Sequence, residues 1–199
     1  MPDSSEHRST VSDAFTKQAD AYAANTTVSD PQRVNRLVKI ADPSPDASVL
    51  EVATGPGYVA LGFASGCKEV VGVDLTREPL LIADRNRRER GVRNAQFLCG
   101  DADYLPIVDD WFDVVVCRFA FHHLKDPGEA LLEMLRVCDP DGTIVVEDLV
   151  VHIAPTPSCH PRAAPRACPT PMAARLGPGE GRSGFLAGLS RLRRSRSCR

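Results

Sequence analysis

The sequence predicts a doubly wound α/β fold, a parallel sheet with helices on both faces. Three observations carry that reading. Val49-Leu50-Glu51-Val52 is a short, largely apolar run suited to a buried parallel strand, and it leads into Ala53-Thr54-Gly55-Pro56-Gly57 and a helix-forming stretch. Strand-like and helix-like segments then alternate from residue 48 to residue 151. Three acids, Glu51, Asp74 and Asp101, recur near the C-terminal ends of the first three strands.

Taken in order, residues 1–11 are polar and expected to be disordered. Residues 12–47 read as N-terminal helices that form a lid. The first runs from Ser12 and sets Phe15, Ala19 and Tyr22 on one face. The second starts at Asp30-Pro31, a cap followed by a first-turn proline, and carries Val34, Leu37, Val38 and Ala41 as one stripe.

Residues 48–151 form the core. After the first strand, a helix is predicted over Tyr58–Ser65 and a strand over Glu69–Asp74. A charged helix from Glu78 to Arg90 turns Leu80, Leu81 and Ala83 inward and closes at Gly91. Ala95–Cys99 and Phe112–Phe119 are strands three and four. Asp126-Pro127-Gly128-Glu129 is a capping box that opens a helix burying Ala130, Leu131, Met134 and Leu135. Asp139-Pro140-Asp141-Gly142 is a turn, and Thr143–Val151 is strand five.

Residues 152–199 break this pattern. From residue 151 onward, 28 of 49 residues are Gly, Ala, Arg or Pro, too little apolar material for a packed core, so disorder is expected, with a helical hint only at Ser183–Leu192. Such a composition is what GC-rich codons give when read out of frame. The tail carries a net charge of +8 and the rest of the chain −10, which the overall −2 conceals.

No apolar run approaches the roughly 18 residues of a membrane span, and the polar N-terminus lacks a signal-peptide core, so a cytoplasmic location is expected. Seven cysteines without a C-x-x-C pair argue against a disulfide framework, and Cys67, Cys99, Cys117 and Cys138 read as buried thiols.

Strand, glycine turn and helix N-terminus make the nucleotide-binding corner of a doubly wound sheet, where ligands bind outside the strand ends. Asp74 lies 17 residues beyond Gly57, and a carboxylate there can accept both hydroxyls of a ribose. Asp101 and Ala102 offer a carboxylate and a backbone N–H to an adenine edge. His122 and His123 follow strand four; a neutral imidazole can take a proton from a hydroxyl, while the plainer alternative is a helix cap or surface packing. No third ligand is spaced to join them in a metal site.

V-L-E-V-A-T-G-P-G, V-V-G-V-D, C-G-D-A-D-Y-L-P and F-D-V-V-V-C-R-F-A-F-H-H-L-K-D-P together resemble the class I S-adenosylmethionine-dependent methyltransferases, and are similar to the ubiquinone/menaquinone-biosynthesis type that acts on small molecules. The resemblance spans about Phe15 to Val150. It implies a Rossmann-like sheet of seven strands, S-adenosylmethionine as methyl donor, and in-line transfer to a small-molecule acceptor. By position, Gly55 and Gly57 would flank the methionine part, with Ala53 in place of the usual first glycine and Glu51 beneath. Asp74 would hold the ribose, Asp101 and Ala102 the adenine, Leu75 would belong to the same cofactor-binding set, and Arg118 and Phe119 would supply backbone contacts. In related phosphobase methyltransferases a histidine at the place of His123 latches to an N-terminal tyrosine, a part open to Tyr22. The family's last helix and antiparallel strand pair are absent from the tail's composition, leaving strand five as an unpaired edge.

Three other readings fit parts of the sequence. Gly55-x-Gly57-x-x-Ala60 followed by Asp74 also fits an NAD-dependent oxidoreductase, against which stands Glu51 inside the strand. A truncated, inactive remnant that at most binds the donor is the second. The third is nucleic-acid binding through Arg191–Arg196, a short run without stacking aromatics and therefore not the expected partner.

Overall fold

The structure is a computed structural model, and it describes residues 4–150 and 186–193. Its centre is β1 (Ser48–Val52), in which every residue is buried. On one side β1 pairs in parallel with β2 (Glu69–Asp74), and β2 with β3 (Ala95–Cys99). On the other it pairs in parallel with β4 (Phe112–Arg118), and β4 with β5 (Cys138–Val150). A sixth strand, β6 (Leu186–Arg193), lies antiparallel on β5, giving the order β3-β2-β1-β4-β5-β6. The chain reverses its winding between β1 and β4, and a crevice opens there at the strand ends.

Alternation along the strands sends side chains to two cores. Val49, Val70, Val114, Val116 and Val145 meet α3 (Pro31–Ala41) and α4 (Tyr58–Phe63) through Leu37 and Phe63. Leu50, Val52, Val115 and Ile144 meet α6 (Pro127–Val137) through Ala130 and Met134. Helix starts follow their caps. Asp30 Oδ1 accepts from the Gln32 N–H at 2.9 Å, and Asp126 Oδ1 accepts from the Gly128 and Glu129 N–H groups.

Several expectations are corrected. Helix α1 (Ser4–Ala23) begins inside the segment read as disordered, because no Gly or Pro interrupts residues 4–24. A one-turn helix, α2 (Thr26–Ser29), follows it, capped by the Asn25 side chain. Strand β6 lies within the tail expected to be disordered and replaces the helical hint there, so β5 is not an unpaired edge. The row of N–H and C=O groups along an edge is a template that an extended segment satisfies. The remainder of that tail, 151–185 and 194–199, falls outside the described residues. The turn at Asp139–Gly142 sits inside β5 as a bulge. The register jumps from Phe112 opposite Cys138 to Val114 opposite Thr143, and the Asp141 N–H turns back to Asp139 Oδ1. On α5 (Arg77–Glu89) the inward residues are Leu80, Ile82 and Ala83, while Leu81 is 58% exposed. Cys99 is exposed rather than buried, at the end of the sheet's outermost strand.

Candidate functional site

The turn after β1 is built from left-handed backbone. Ala53 has φ +57°, Gly55 +52° and Gly57 +78°. The Thr54 N–H donates to Val73 O, and the Gly57 N–H closes the turn on Thr54 O, both at 2.9 Å. The two glycines serve different ends. A Cβ on Gly57 would stand 2.8 Å from the Phe97 ring and 2.9 Å from Ala83, so this glycine lets helix and sheet approach. A Cβ on Gly55 would meet only the Tyr22 ring, at 3.7 Å, so its backbone stays open to the crevice.

Asp74 ends β2 beside that turn. Its Oδ2 accepts the Gly55 N–H at 2.8 Å and its Oδ1 accepts the Thr76 N–H at 2.9 Å. Burial pushes its pKa up against these two bonds. Each oxygen keeps a second lone pair, so the fixed carboxylate can accept a pair of hydroxyls. Asp101 follows β3 and folds on itself, accepting from the Asp103 N–H at 3.0 Å. Together Asp74, Asp101, Ala102, Leu75, Gly55 and Ala53 line one cleft of about 910 Å³, open mouth included.

Phe15, Ala19 and Tyr22 of α1 line the same cleft, as do Phe119 and His123. The Phe15 ring stands edge-on to both Tyr22 and His123, with centroids 5.7 and 5.1 Å away. Burial raises the Tyr22 hydroxyl to about 12, which keeps it protonated. Burial, helped by His122, lowers the His123 imidazole, which keeps it neutral near pH 7. His122 points elsewhere, its Nδ1 2.6 Å from Asp148 Oδ1.

Glu51 and Arg118 do not reach the main cleft. They line a smaller recess beneath it, together with Tyr22, Gly55 and Phe119. Glu51 Oε2 accepts from the Thr54 hydroxyl at 2.5 Å and from the Ala60 N–H, at the first turn of α4, at 2.8 Å. Burial outweighs both bonds and the nearby Arg118, and holds the carboxyl up at about 8. Gly57 lines neither cavity.

Sequence reasoning missed several lining residues. Thr76 and Pro79 open α5 below Asp74, and Leu124 and Lys125 follow the histidines. Phe15 and Ala19 had a signal in their spacing with Tyr22. Thr76, Leu124 and Lys125 had none, since loop residues carry no periodicity, and Pro79 sits in the first turn of α5 outside its expected apolar stripe.

A family model described as "Methyltransferase domain" matches residues 50–146. The uncharacterized methyltransferase YcgJ of Bacillus subtilis is 35% identical over 141 residues, covering 71% of this chain and 54% of that protein. The demethylmenaquinone methyltransferase of Thermus thermophilus is 40% identical over 56% of this chain and 51% of its own length. The chain thus spans about half the length of these curated relatives. Among solved structures, a SAM-dependent methyltransferase from Aquifex aeolicus aligns with a TM-score of 0.61 at 21% identity, covering 71% of this chain and 76% of that one, a likeness of fold.

Proposed function

We propose that this chain, a member of the class I S-adenosylmethionine-dependent methyltransferases, binds S-adenosylmethionine in the cleft and transfers its methyl group to a small-molecule acceptor seated against α1. The observation that carries the reading is the Asp74 carboxylate, fixed by two backbone N–H groups across from a turn with no side chain at Gly55. The donor's chemistry fits this set. Asp74 would hold the ribose hydroxyls, and Asp101 and Ala102 would hold the adenine, with Leu75 beside them in the same lining. Gly55 would leave room for the methionine backbone, and Glu51 lies in the recess beneath.

The bound donor supplies an already activated methyl group. What remains for the protein is to align the acceptor and exclude water. Phe15, Ala19 and Tyr22 do both from the α1 side. Neutral His123 takes the proton when the acceptor is a hydroxyl or thiol. No helix among the described residues is long and apolar enough to cross a membrane, and Cys67 and Cys117 are free buried thiols, which suits the reducing cytoplasm.

Calorimetric titration tests the reading. S-adenosylmethionine and S-adenosylhomocysteine are expected to bind and NAD to give no heat. NAD binding without S-adenosylhomocysteine binding would replace this reading with the oxidoreductase one. Donor binding with no turnover against any acceptor would reduce it to a binding remnant.

A further inference from the structure

Arg118 ends β4 with a side chain only 2% exposed. A guanidinium that deep must be paired on every side. Its Nε donates to Glu147 Oε2 on β5 at 3.1 Å. Its two terminal nitrogens donate to the carbonyls of Val28, at 3.0 Å, and Thr27, at 3.2 Å. The Phe119 ring lies against the same group, 4.4 Å from it. One side chain therefore joins two strands of the sheet to α2.

The joint matters because of what α2 is. A four-residue helix does not persist by itself. Directly before it runs α1, whose Phe15, Ala19 and Tyr22 wall the cleft. The end of α1 is tied as well by the Tyr58 hydroxyl to Ala23 O at 2.9 Å, and its middle by the Thr16 hydroxyl to Glu78 Oε2 of α5 at 3.0 Å. We infer that Arg118 is a positioning residue that clamps the lid: its forked guanidinium holds α2, and through α2 the Phe15–Tyr22 wall, over the cleft. The division of its partners makes it a latch. Glu147 neutralises the charge from the sheet side, and only carbonyls bind it from the lid side. Opening releases two carbonyls without stranding a buried charge, because the ion pair stays within the sheet. Lysine cannot replace it, since one ammonium does not reach three separated acceptors as a planar fork does. The clamp stands without the methyl-transfer reading; its effect on donor exchange rests on that reading.

Hydrogen exchange on the full chain, without ligand, is the test. The amides of Val28 and Ser29 donate to Asn25 O at 3.1 and 3.0 Å, and they should be protected in the wild type despite the shortness of α2. In Arg118→Lys their exchange should rise about tenfold or more, the size of one charge-assisted hydrogen bond, while β1 and β4 are unchanged. The double variant Arg118→Met/Glu147→Met, an apolar replacement of the buried pair that retains the core, should show the same local rise. Unprotected Val28 and Ser29 amides in the wild type would overturn the clamp, as would variants whose exchange rises uniformly or not at all. S-adenosylhomocysteine should leave both variants about tenfold faster than the wild type. An unchanged rate would overturn the gating role. A wild type that binds no S-adenosylhomocysteine would sink the donor reading, while the exchange data would still decide the clamp.

Discussion

Gly55 donates its backbone N–H to Asp74 Oδ2 at 2.8 Å, so the turn after β1 and the end of β2 are one unit. The residue without a side chain positions the carboxylate, and the carboxylate holds the turn open. Fold and site are therefore coupled here.

Asp74→Asn should damage both. The carboxylate accepts two N–H groups, one on each oxygen, whereas an amide turns an NH₂ toward one of them. We expect a loss of about 1–3 kcal/mol in stability and a fall of at least tenfold in S-adenosylhomocysteine affinity. Chemical denaturation and calorimetry measure the two. Wild-type affinity in the variant would remove Asp74 from the site.

The two glycines of the turn should separate stability from binding. Gly57→Ala forces a Cβ to within 2.8–2.9 Å of Phe97 and Ala83 at φ +78° and should cost about 2–4 kcal/mol. Gly55→Ala carries only the backbone strain of about 1–2 kcal/mol, since its Cβ meets nothing closer than 3.7 Å. Yet that Cβ projects toward the cleft, so Gly55→Ala should weaken donor binding more than its stability loss explains. Thermal melts alongside donor titrations check the contrast.

Glu51 should make stability depend on pH. Its carboxyl titrates at about 8 in the folded chain, against 4.5 ordinarily. Between those values the folded state holds a proton that the unfolded state has lost. The contribution is complete below about 4.5 and disappears as pH rises through 8, at most about 4–5 kcal/mol. Glu51→Gln keeps an acceptor for Thr54 and Ala60 and should flatten that slope. Unfolding curves from pH 5 to 9 show it. The facing groups, Arg118, Asp74 and Tyr22, are left in place.

For hydroxyl acceptors, His123→Gln should lower kcat about 10²-fold with donor affinity intact. The acid limb of the wild-type pH–rate profile should lie below the ordinary imidazole value of 6.5, because burial and His122 lower His123. A limb above 6.5 would contradict its role as the base.

Much of the framework was legible because it repeats. The apolar runs at Val49–Val52 and Val70–Val73 and the caps at Asp30 and Asp126 are local signals, and the strands and helices lie where these place them. Asp74 and Gly55 were legible from spacing along one βαβ unit. Less local features were not. The separation of Gly57 from the cleft depends on Phe97, which comes from another strand. The Phe15 ring between Tyr22 and His123 depends on the angle at which α1 crosses the sheet, and periodicity gives the face of a helix but not its crossing. Arg118 read as a source of backbone contacts, whereas its side chain reaches Thr27 and Val28, about 90 residues earlier in the chain. Strand β6 was hidden by a composition whose extended form depends on the waiting edge of β5.

The most direct test of the central claim is a crystal structure of the full chain grown with S-adenosylhomocysteine. Both ribose hydroxyls should lie within hydrogen-bond distance of the Asp74 carboxylate, with the adenine between Leu75 and Ala102 and the sulfur facing the wall formed by Phe15 and Tyr22. A ligand bound elsewhere, or one whose ribose turns away from Asp74, would contradict the account.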